Sequence, residues 1–317
     1  MKKVAIGVDI GGTNTLVGAV TEQGEIVAQT TITTADYPVV DDFVDELGYE
    51  IMNLVKSTEY QIKAVGIGAP NGNYHNGSIE SAVNLQWKGR VPLAALVEKK
   101  LDLPVVLTND ANAAALGEMK FGAAKGMKDF IILTLGTGLG SGIVIDGRVL
   151  YGHTGLAGEY GHVIMVPGGR DCGCGRQGCL ETYVSATGIV RTVQWLLSES
   201  KEESALRKIH PAELTSRQIS DAALKGDHIA LEAFDYTAEM LAQAIANAAV
   251  FSSPEAIFLF GGLANAGDLL FEPLKKYVDE FMYSSMKDTV KIMPSGISEC
   301  NAAVLGAAAL AWGEYGS

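Results

Sequence analysis

The stretch VAIGVDIGGTNTLVGAV, residues 4–20, decides the fold. An apolar run rich in β-branched residues stops at GGTN and resumes as a second apolar run, which predicts two strands joined by a glycine turn. Residues 129–147, DFIILTLGTGLGSGIVIDG, repeat the same order and chemistry. The repeat predicts an internal duplication, in which each half of the chain is an α/β unit that opens with this device.

Strands and helices alternate along the rest of the chain. Apolar residues at helical spacing follow Pro38, an alanine-rich helix follows Asn109 and Asp110, and five more helices are expected from residue 183 onward. This pattern predicts one domain of residues 1–115 with 300–317 and a second of residues 116–299. No linker separates the two, so a cleft between them is the expected place for a ligand.

The composition narrows the possible functions. The 317 residues are 48% hydrophobic, which excludes a disordered chain, and they carry a net charge of −13. That charge repels nucleic acids and anionic membranes, so we expect neither as a partner. The apolar run at 302–312 is shorter than the roughly 18 residues of a membrane span. The uncharged run before Asp9 is too short for a secretory signal, and we predict a soluble, cytoplasmic protein.

Three glycine turns follow predicted buried strands, at residues 11–14, 136–140 and 261–262. Each alone could be an ordinary hairpin, but consecutive N–H groups in such turns also cradle anions. The chain has no Gly-Lys dipeptide, which excludes a P-loop, and its second turn leads into a strand, which disfavours a dinucleotide-binding fold. Together the turns fit a nucleoside triphosphate. Because the first two contain no Lys or Arg, we expect Mg²⁺ near Asp9 to meet the phosphate charge.

Asn109 and Asp110 stand where a short predicted strand gives way to the alanine-rich helix. Either residue could cap that helix, and capping accounts for one of them. The other is then free for chemistry. Asp110 fits a general base that accepts a hydroxyl proton while a phosphoryl group is transferred.

Four residues with metal-ligating side chains lie close together in the sequence: His162, Cys172, Cys174 and Cys179. One imidazole and three thiolates make a closed tetrahedral zinc set, which is the structural rather than the catalytic type. A disulfide across the Cys-Gly-Cys spacing would be strained, and chance clustering is the remaining alternative. Glu159 and Glu181 flank the loop and suit paired sugar hydroxyls, although they could also be solvated surface acids.

The motifs resemble those of the ROK family of sugar kinases, within the actin/hexokinase-like superfamily. The segments that carry the resemblance extend along the whole chain: DIGGTN (9–14), GIGAP (66–70), NDANAAALGE (109–118), LGTGLGSGIVIDG (135–147), GEYGH (158–162), CGCGRQGCLE (172–181) and LFGG (259–262). The likeness is greatest to the bacterial glucokinases of the family. It implies a two-domain, duplicated ribonuclease H-like fold, and ATP-dependent phosphorylation of a hexose, expected to be glucose, at its 6-hydroxyl in glycolysis.

The resemblance also implies site residues, with Asp110 as the catalytic base. The sugar site is expected to contain Asn84, Asn109, Asp110, Glu159, His162 and Glu181. Contacts to ATP and its Mg²⁺ are expected from Asp9, Gly11, Gly12, Thr13, Asn14, Thr137, Gly138, Gly261 and Gly262. Structural Zn²⁺ is expected on His162, Cys172, Cys174 and Cys179. Leu263 departs from the family pattern, since many relatives have a third glycine there.

Several alternatives stay open. Kinases of this family also use N-acetylglucosamine, N-acetylmannosamine, fructose or allose, so the sugar is undecided between a hexose and an N-acetylhexosamine. Sugar-responsive repressors of the family carry a helix-turn-helix ahead of the first glycine turn, and the strand that leads into this turn here begins near residue 1, so we do not expect a repressor. A noncatalytic sensor is a third class. We further expect a homo-oligomer, a dimer or a tetramer, and interpret Cys300 as a small buried residue.

Overall fold

The computed structural model describes residues 2–56, 58–82 and 84–316. The side chains of Glu299 and Cys300 are not described, so the prediction that Cys300 is buried lies outside the described residues. The strands of the described part are β1 (Lys2–Ile10), β2 (Thr15–Val20), β3 (Ile26–Ile32), β4 (Tyr60–Gly68), β5 (Gly72–Asn73), β6 (Ser78–Glu80), β7 (Arg90–Val91), β8 (Val105–Thr108), β9 (Phe130–Leu135), β10 (Leu139–Ile145), β11 (Arg148–Val149), β12 (Ala256–Phe260) and β13 (Lys291–Pro294). Its α-helices are α1 (Val40–Val55), α2 (Leu93–Leu101), α3 (Asp110–Phe121), α4 (Ala186–Glu199), α5 (Ser216–Ala223), α6 (His228–Ser252), α7 (Asp268–Phe281) and α8 (Glu299–Tyr315).

The predicted duplication is present in the sheet topology. The two five-stranded sheets have equivalent strand orders, β3-β2-β1-β4-β8 and β11-β10-β9-β12-β13. Strand β1 pairs in parallel with β4 and β4 with β8, just as β9 pairs in parallel with β12 and β12 with β13. The outer pairs β2–β3 and β10–β11 are both antiparallel. A small third sheet, β5-β6-β7, was not expected from the sequence.

The chain divides into two compact units. Unit 1 contains Met1–Lys128, Gly142–Gly158 and Ser295–Ser317, and unit 2 contains Asp129–Ser141 and Glu159–Pro294. Helix α3 lies entirely in unit 1 and packs against α8. Their contact is so close that a Cβ on Gly117 would lie 3.0 Å from the Cα of Gly306.

Helices cover both faces of the sheet in unit 1. Large apolar side chains of α1, such as the fully buried Phe43 and Leu47, fill one face. Helix α8 covers the other face with small residues and Trp312. The helix approaches so closely that a Cβ on Gly7 or Gly66 would overlap its backbone, which explains why glycine occupies both positions.

The register of this sheet brings the candidate catalytic residues to one edge. Asp9 pairs with Gly68, and Gly68 pairs with Thr108, at the carboxyl ends of three parallel strands. Asn109 then caps α3, because its side-chain oxygen accepts a backbone N–H of the first turn at 2.7 Å. The chain therefore places Asp110 in the first turn of a helix, at the strand edge that carries Asp9.

In unit 2 the core of the sheet includes Phe130 and Phe258, whose rings meet edge to face with centroids 5.7 Å apart. Ser185 caps α4 by accepting the N–H of Gly188 at 2.9 Å. The helix therefore begins at Ala186 and not at residue 183 as expected, since Leu180–Thr182 form a separate 3₁₀ turn. Among the residues described, no helix is both long enough and apolar enough to cross a membrane.

Candidate active site and metal-binding loop

Two aspartates lie together at the strand edge of unit 1. A Cβ built on Gly68 would be 3.9 Å from Asp9 Oδ1 and 3.9 Å from the Cα of Asp110. Asp110 Oδ1 accepts the N–H of Ala111 at 2.8 Å, which fixes the orientation of the carboxylate. The Asp110 side chain keeps solvent-exposed surface, whereas Asp9 is half-buried.

Both carboxyl groups have raised pKa values. Burial raises the pKa of Asp9 from 3.8 to about 6, and repulsion from the Asp110 carboxylate adds to the rise. Burial also raises the pKa of Asp110, while the hydrogen bond from the Ala111 N–H lowers it. Desolvation therefore outweighs the favourable field of the helix N-terminus. Asp110 touches solvent, but the protein packed around it leaves its charge poorly hydrated, as is common for groups that accept protons.

The first glycine turn is closed by a hydrogen bond from the Gly11 N–H to the Asn14 carbonyl, at 2.9 Å. A Cβ on Gly12 would overlap the carbonyl oxygen of Asn84, so this asparagine lies against the turn. Thr13 and Asn14 are exposed. Unit 1 thus brings the first glycine turn and Asn84 together.

The second glycine turn is held by the N-terminus of α4. The Gly136 carbonyl accepts the N–H of Ala186 at 2.8 Å, and the Thr137 carbonyl accepts the hydroxyl of Thr187 at 2.8 Å. A Cβ on Gly138 would lie 2.6 Å from Glu181 Oε2. The side chain of Glu181 therefore borders this turn directly.

The four predicted metal ligands converge in unit 2. The ligand atoms of His162, Cys172, Cys174 and Cys179 all lie within 4.8 Å of one another. Cys174 Sγ is 3.7 Å from Cys179 Sγ, and Cys172 Sγ is 3.6 Å from His162 Nδ1. Tetrahedral zinc with Zn–S bonds of about 2.3 Å requires sulfurs about 3.8 Å apart, so the donor set and its spacing fit this ion.

These four ligands, the quartet, lie in residues 162–179, which we call the metal-binding loop. The loop is built for tight turns. The N–H of Cys174 points at Cys172 Sγ, at 3.5 Å. Gly178 has a φ of 80°, and a Cβ there would overlap the Val166 carbonyl, so only glycine fits. Interaction with Arg176 lowers the pKa of Cys174 to about 6, while burial raises the pKa of the other two thiols.

Carboxylates flank the histidine of the quartet. Glu181 Oε1 lies 3.5 Å from His162 Nδ1 and 3.0 Å from Cys172 Sγ. Glu159 Oε2 lies 4.0 Å from His162 Nε2. Acidic neighbours of this kind orient a ligating imidazole and tune its basicity. Glu181 thus touches both the quartet and the second glycine turn.

The third glycine turn follows β12. Gly261 has a φ of 103°, and a Cβ there would press on the backbone of Leu135, which ends β9. Leu263, the departure from the family pattern, is buried. A groove of about 800 Å³ opens shortly beyond this turn. Its lining residues include Ala266, Leu269 and, from α6, Leu231.

The predicted site residues fall into two groups. Those in unit 1 are Asp9, Gly11, Gly12, Thr13, Asn14, Asn84, Asn109 and Asp110. Those in unit 2 are Thr137, Gly138, Glu159, His162, Cys172, Cys174, Cys179, Glu181, Gly261 and Gly262. Thr187, which supports the second turn, was not predicted from the sequence. The Ser-Ala-Thr-Gly segment at 185–188 has the pattern of a helix N-cap, which indicates a helix start close to Thr187.

Comparison with known proteins identifies the family. The family model for ROK matches residues 5–314. A glucokinase of Halalkalibacterium halodurans is 40% identical over 290 residues, covering 89% of this chain and 87% of the relative. The chain therefore belongs to the ROK family.

Solved structures agree with this assignment. The ROK family glucokinase of Streptomyces griseus in complex with glucose and AMPPNP superimposes with a TM-score of 0.81 and 34% identity, covering 97% of this chain and 98% of that one. A ROK family transcriptional regulator, a homologue of the E. coli MLC protein, gives a TM-score of 0.86 at 27% identity, covering 98% of this chain but 78% of the regulator. The protein has the actin/hexokinase-like fold of these kinases.

Proposed function

We propose that this protein is an ATP-dependent hexose kinase that converts glucose to glucose 6-phosphate, with Asp110 as the general base. The observation that carries the proposal is the geometry of Asp110: an oriented carboxylate of raised pKa at the start of α3, beside Asp9. Its relatives at 36–40% identity over most of the chain include glucokinases, which favours glucose among the hexoses.

The role of Asp110 follows from its chemistry. A carboxylate that is poorly hydrated accepts a proton from a hydroxyl more readily than one in bulk water. Asp110 Oδ1 is held by the Ala111 N–H, so the carboxylate presents a defined face to the sugar 6-hydroxyl. The proton passes from that hydroxyl to Asp110 as the oxygen attacks the terminal phosphorus of ATP and the bond to ADP breaks.

Backbone N–H groups of the glycine turns are proposed to bind the phosphates of ATP, with Mg²⁺ held near Asp9. Charge neutralisation by Mg²⁺ is what a half-buried carboxylate with a raised pKa would gain from a divalent cation. The groove beyond Gly262 is proposed to take adenosine. Its apolar residues Leu231 and Leu269 suit a purine, and its acids, such as Asp268, suit ribose hydroxyls.

The sugar-binding assignments are also proposals. Glu159, His162 and Glu181 are assigned to sugar hydroxyls because the metal-binding loop holds them close together. Asn84 lies against the first glycine turn, and Asn109 precedes the base. Zinc bound by His162 and the three cysteines would supply structural stability to this loop, since all four ligand positions come from the protein.

A panel of sugars tests the proposal. Initial rates at fixed ATP and Mg²⁺ are compared for glucose, mannose, fructose, N-acetylglucosamine and N-acetylmannosamine. We expect the highest kcat/KM with glucose. A preference for an N-acetylhexosamine or fructose would support the kinase activity but would show that glucose is not the preferred substrate. No phosphorylation of any sugar, together with tight sugar binding, would favour the regulators that share the fold. The domain boundaries, a homo-oligomer, a cytoplasmic location and a place in glycolysis stay predictions from the sequence.

A further inference from the structure

Arg170 lies in the metal-binding loop, two residues before Cys172, and is fixed by several contacts. Its N–H donates to the Tyr183 hydroxyl at 3.0 Å, and its carbonyl accepts the N–H of Gly178 at 2.8 Å. Its guanidinium lies 4.4 Å from the centre of the Tyr183 ring. The side chain is half-buried. Arg170 is therefore a built part of unit 2 and not a solvated surface charge.

The guanidinium reaches three acceptors outside the loop. Nη1 donates to the carbonyls of Thr182 and Gly188, at 2.8 and 3.1 Å, and Nη2 donates to the Thr192 hydroxyl at 3.0 Å. Thr182 directly follows Glu181, while Gly188 and Thr192 belong to the first two turns of α4. A planar fork of donors suits such an arrangement, whereas the single ammonium of lysine cannot reproduce it.

These acceptors connect Arg170 to the second glycine turn. The first residues of α4 bind the carbonyls of Gly136 and Thr137 through the Ala186 N–H and the Thr187 hydroxyl. The metal-binding loop, the start of α4 and the glycine turn thus form one continuous hydrogen-bonded series, with Arg170 between the first two. Buried networks of this type lose more than one bond when a central member is removed.

We propose that Arg170 is a positioning residue that couples the Cys–His quartet to the second glycine turn, so that zinc retention and nucleotide binding stabilise each other. The proposal rests on the proposed function, because it takes the turn to bind ATP. Coupling between two binding sites is reciprocal. Under this proposal a nucleotide at the turn raises the affinity of the quartet for zinc, and an ordered quartet strengthens nucleotide binding by the same factor. We expect the higher zinc affinity to appear as slower release of zinc.

The test compares two arginines that join the same loop to the same helix. Arg191 on α4 donates to the Asp171 carbonyl at 2.9 Å and is the matched control for Arg170. Zinc release to a chelator is timed with and without AMPPNP in the wild type, Arg170→Lys, Arg170→Met and Arg191→Lys. We expect AMPPNP to slow release about fivefold or more in the wild type and in Arg191→Lys. The effect should be clearly smaller in both Arg170 variants, in which Glu181 still contacts the quartet and the turn.

Kinetics and stability separate positioning from folding. In Arg170→Lys we expect KM for ATP to rise about fivefold or more with a smaller change in kcat, while thermal unfolding shows a folded protein. An equal effect of AMPPNP on zinc release in Arg170→Lys and Arg191→Lys would overturn the proposal. If the wild type phosphorylates sugar but AMPPNP does not change its zinc release, the coupling is wrong and the proposed function stands. A wild type that binds no nucleotide would defeat both.

Discussion

The two duplicated glycine turns differ in what surrounds them. The first, at residues 11–14, lies beside Asn84 and follows Asp9, an acid whose pKa is raised to about 6. The second, at residues 136–140, is held by the start of α4 and bordered by Glu181, which also touches the metal-binding loop. The same strand–turn–strand device thus has aspartates with raised pKa values near one copy. Near the other copy lies a glutamate that contacts a cysteine-rich loop.

The difference indicates that the two copies of the turn took on different roles after duplication. Poorly hydrated acids suit proton transfer and cation binding, which are chemical roles. A turn fixed by helix contacts and bordered by a candidate metal-binding loop suits precise binding of a ligand. We therefore expect changes in unit 1 to reduce turnover most strongly, and changes in unit 2 to act mainly on affinity and stability.

The largest expected effect is that of Asp110→Asn. The substitution keeps the shape of the side chain but removes the proton acceptor, so kcat should fall by about 10²–10⁴-fold while glucose binding changes little. Steady-state kinetics and calorimetric titration with glucose measure the two quantities. Thermal unfolding checks the fold. Turnover within tenfold of the wild type would remove Asp110 as the base.

The next effect concerns the quartet. Cys174 is exposed, so Cys174→Ser leaves no cavity and acts through the metal alone. We expect zinc content to fall, the unfolding temperature to drop, and glucose affinity to weaken by about tenfold or more as Glu181 and His162 lose their fixed positions. Metal analysis and calorimetric titration measure this. The control is Gln177→Ser, an exposed change in the same loop whose side chain binds Asp171.

Equal zinc content and equal glucose affinity in Cys174→Ser and Gln177→Ser would contradict this role of the quartet. So would purified, active wild type that contains no zinc. Chelation of the wild type followed by addition of Zn²⁺ should restore glucose affinity, which separates metal loss from irreversible unfolding.

Glycine substitutions test how rigid each turn is. A Cβ on Gly12 meets the backbone of Asn84, whereas a Cβ on Gly138 meets only the flexible end of Glu181. We expect Gly12→Ala to lower kcat by about tenfold through displaced backbone, and Gly138→Ala to raise KM for ATP by about threefold. Gly136→Ala is the control, since nothing lies within 4 Å of its Cβ. Equal effects of all three would contradict the different surroundings of the turns.

The last expected effect is on stability and depends on pH. Since the pKa of Asp9 is raised from 3.8 to about 6, the folded protein keeps a proton that the unfolded chain loses between those values. Stability contributed by this group is present below pH 3.8 and lost as the pH rises to about 6. Asp9→Asn should therefore increase the free energy of unfolding above pH 6, by at most about 3 kcal/mol, with no gain at pH 3.

Unfolding curves at several pH values measure this effect, with the exposed Asp221→Asn as the control. If Asp9→Asn were no more stable than the wild type at pH 7, burial of the Asp9 carboxylate would not lower the free energy of unfolding. Asp110→Asn supplies a second check, because loss of its negative charge should lower the pKa of Asp9 in an NMR titration.

Much of the fold could be predicted from local pattern. The strand–glycine–strand repeat predicted the duplication, and the equivalent strand orders agree with it. Helix α3 was predicted from Asn109, whose side chain caps it. The sheet β5-β6-β7 could not be predicted because its strands are two or three residues long and carry no periodicity.

The surroundings of the site were harder to predict. The contact between Glu181 and the second glycine turn joins residues 43 positions apart, and no local rule indicates it. The contacts of Arg170 could not be predicted because its acceptors are mostly backbone carbonyls, which every residue has. The raised pKa of Asp9 depends on burial and on Asp110, which is remote in sequence. The spacing of motifs in the sequence predicts which side chains can act together. The packing around those side chains decides their pKa values and their hydrogen-bond partners.

The position of α8 in the chain has a consequence for biosynthesis. This helix supplies a whole layer of unit 1, with Val304 and Ala307 pressed against Gly7 and Gly66, yet a ribosome makes it after every residue of unit 2. The first strands to emerge must wait, with one apolar face uncovered, for nearly three hundred further residues. Chaperones that shield nascent β-sheet should therefore engage this protein early and release it only once α8 has been synthesised.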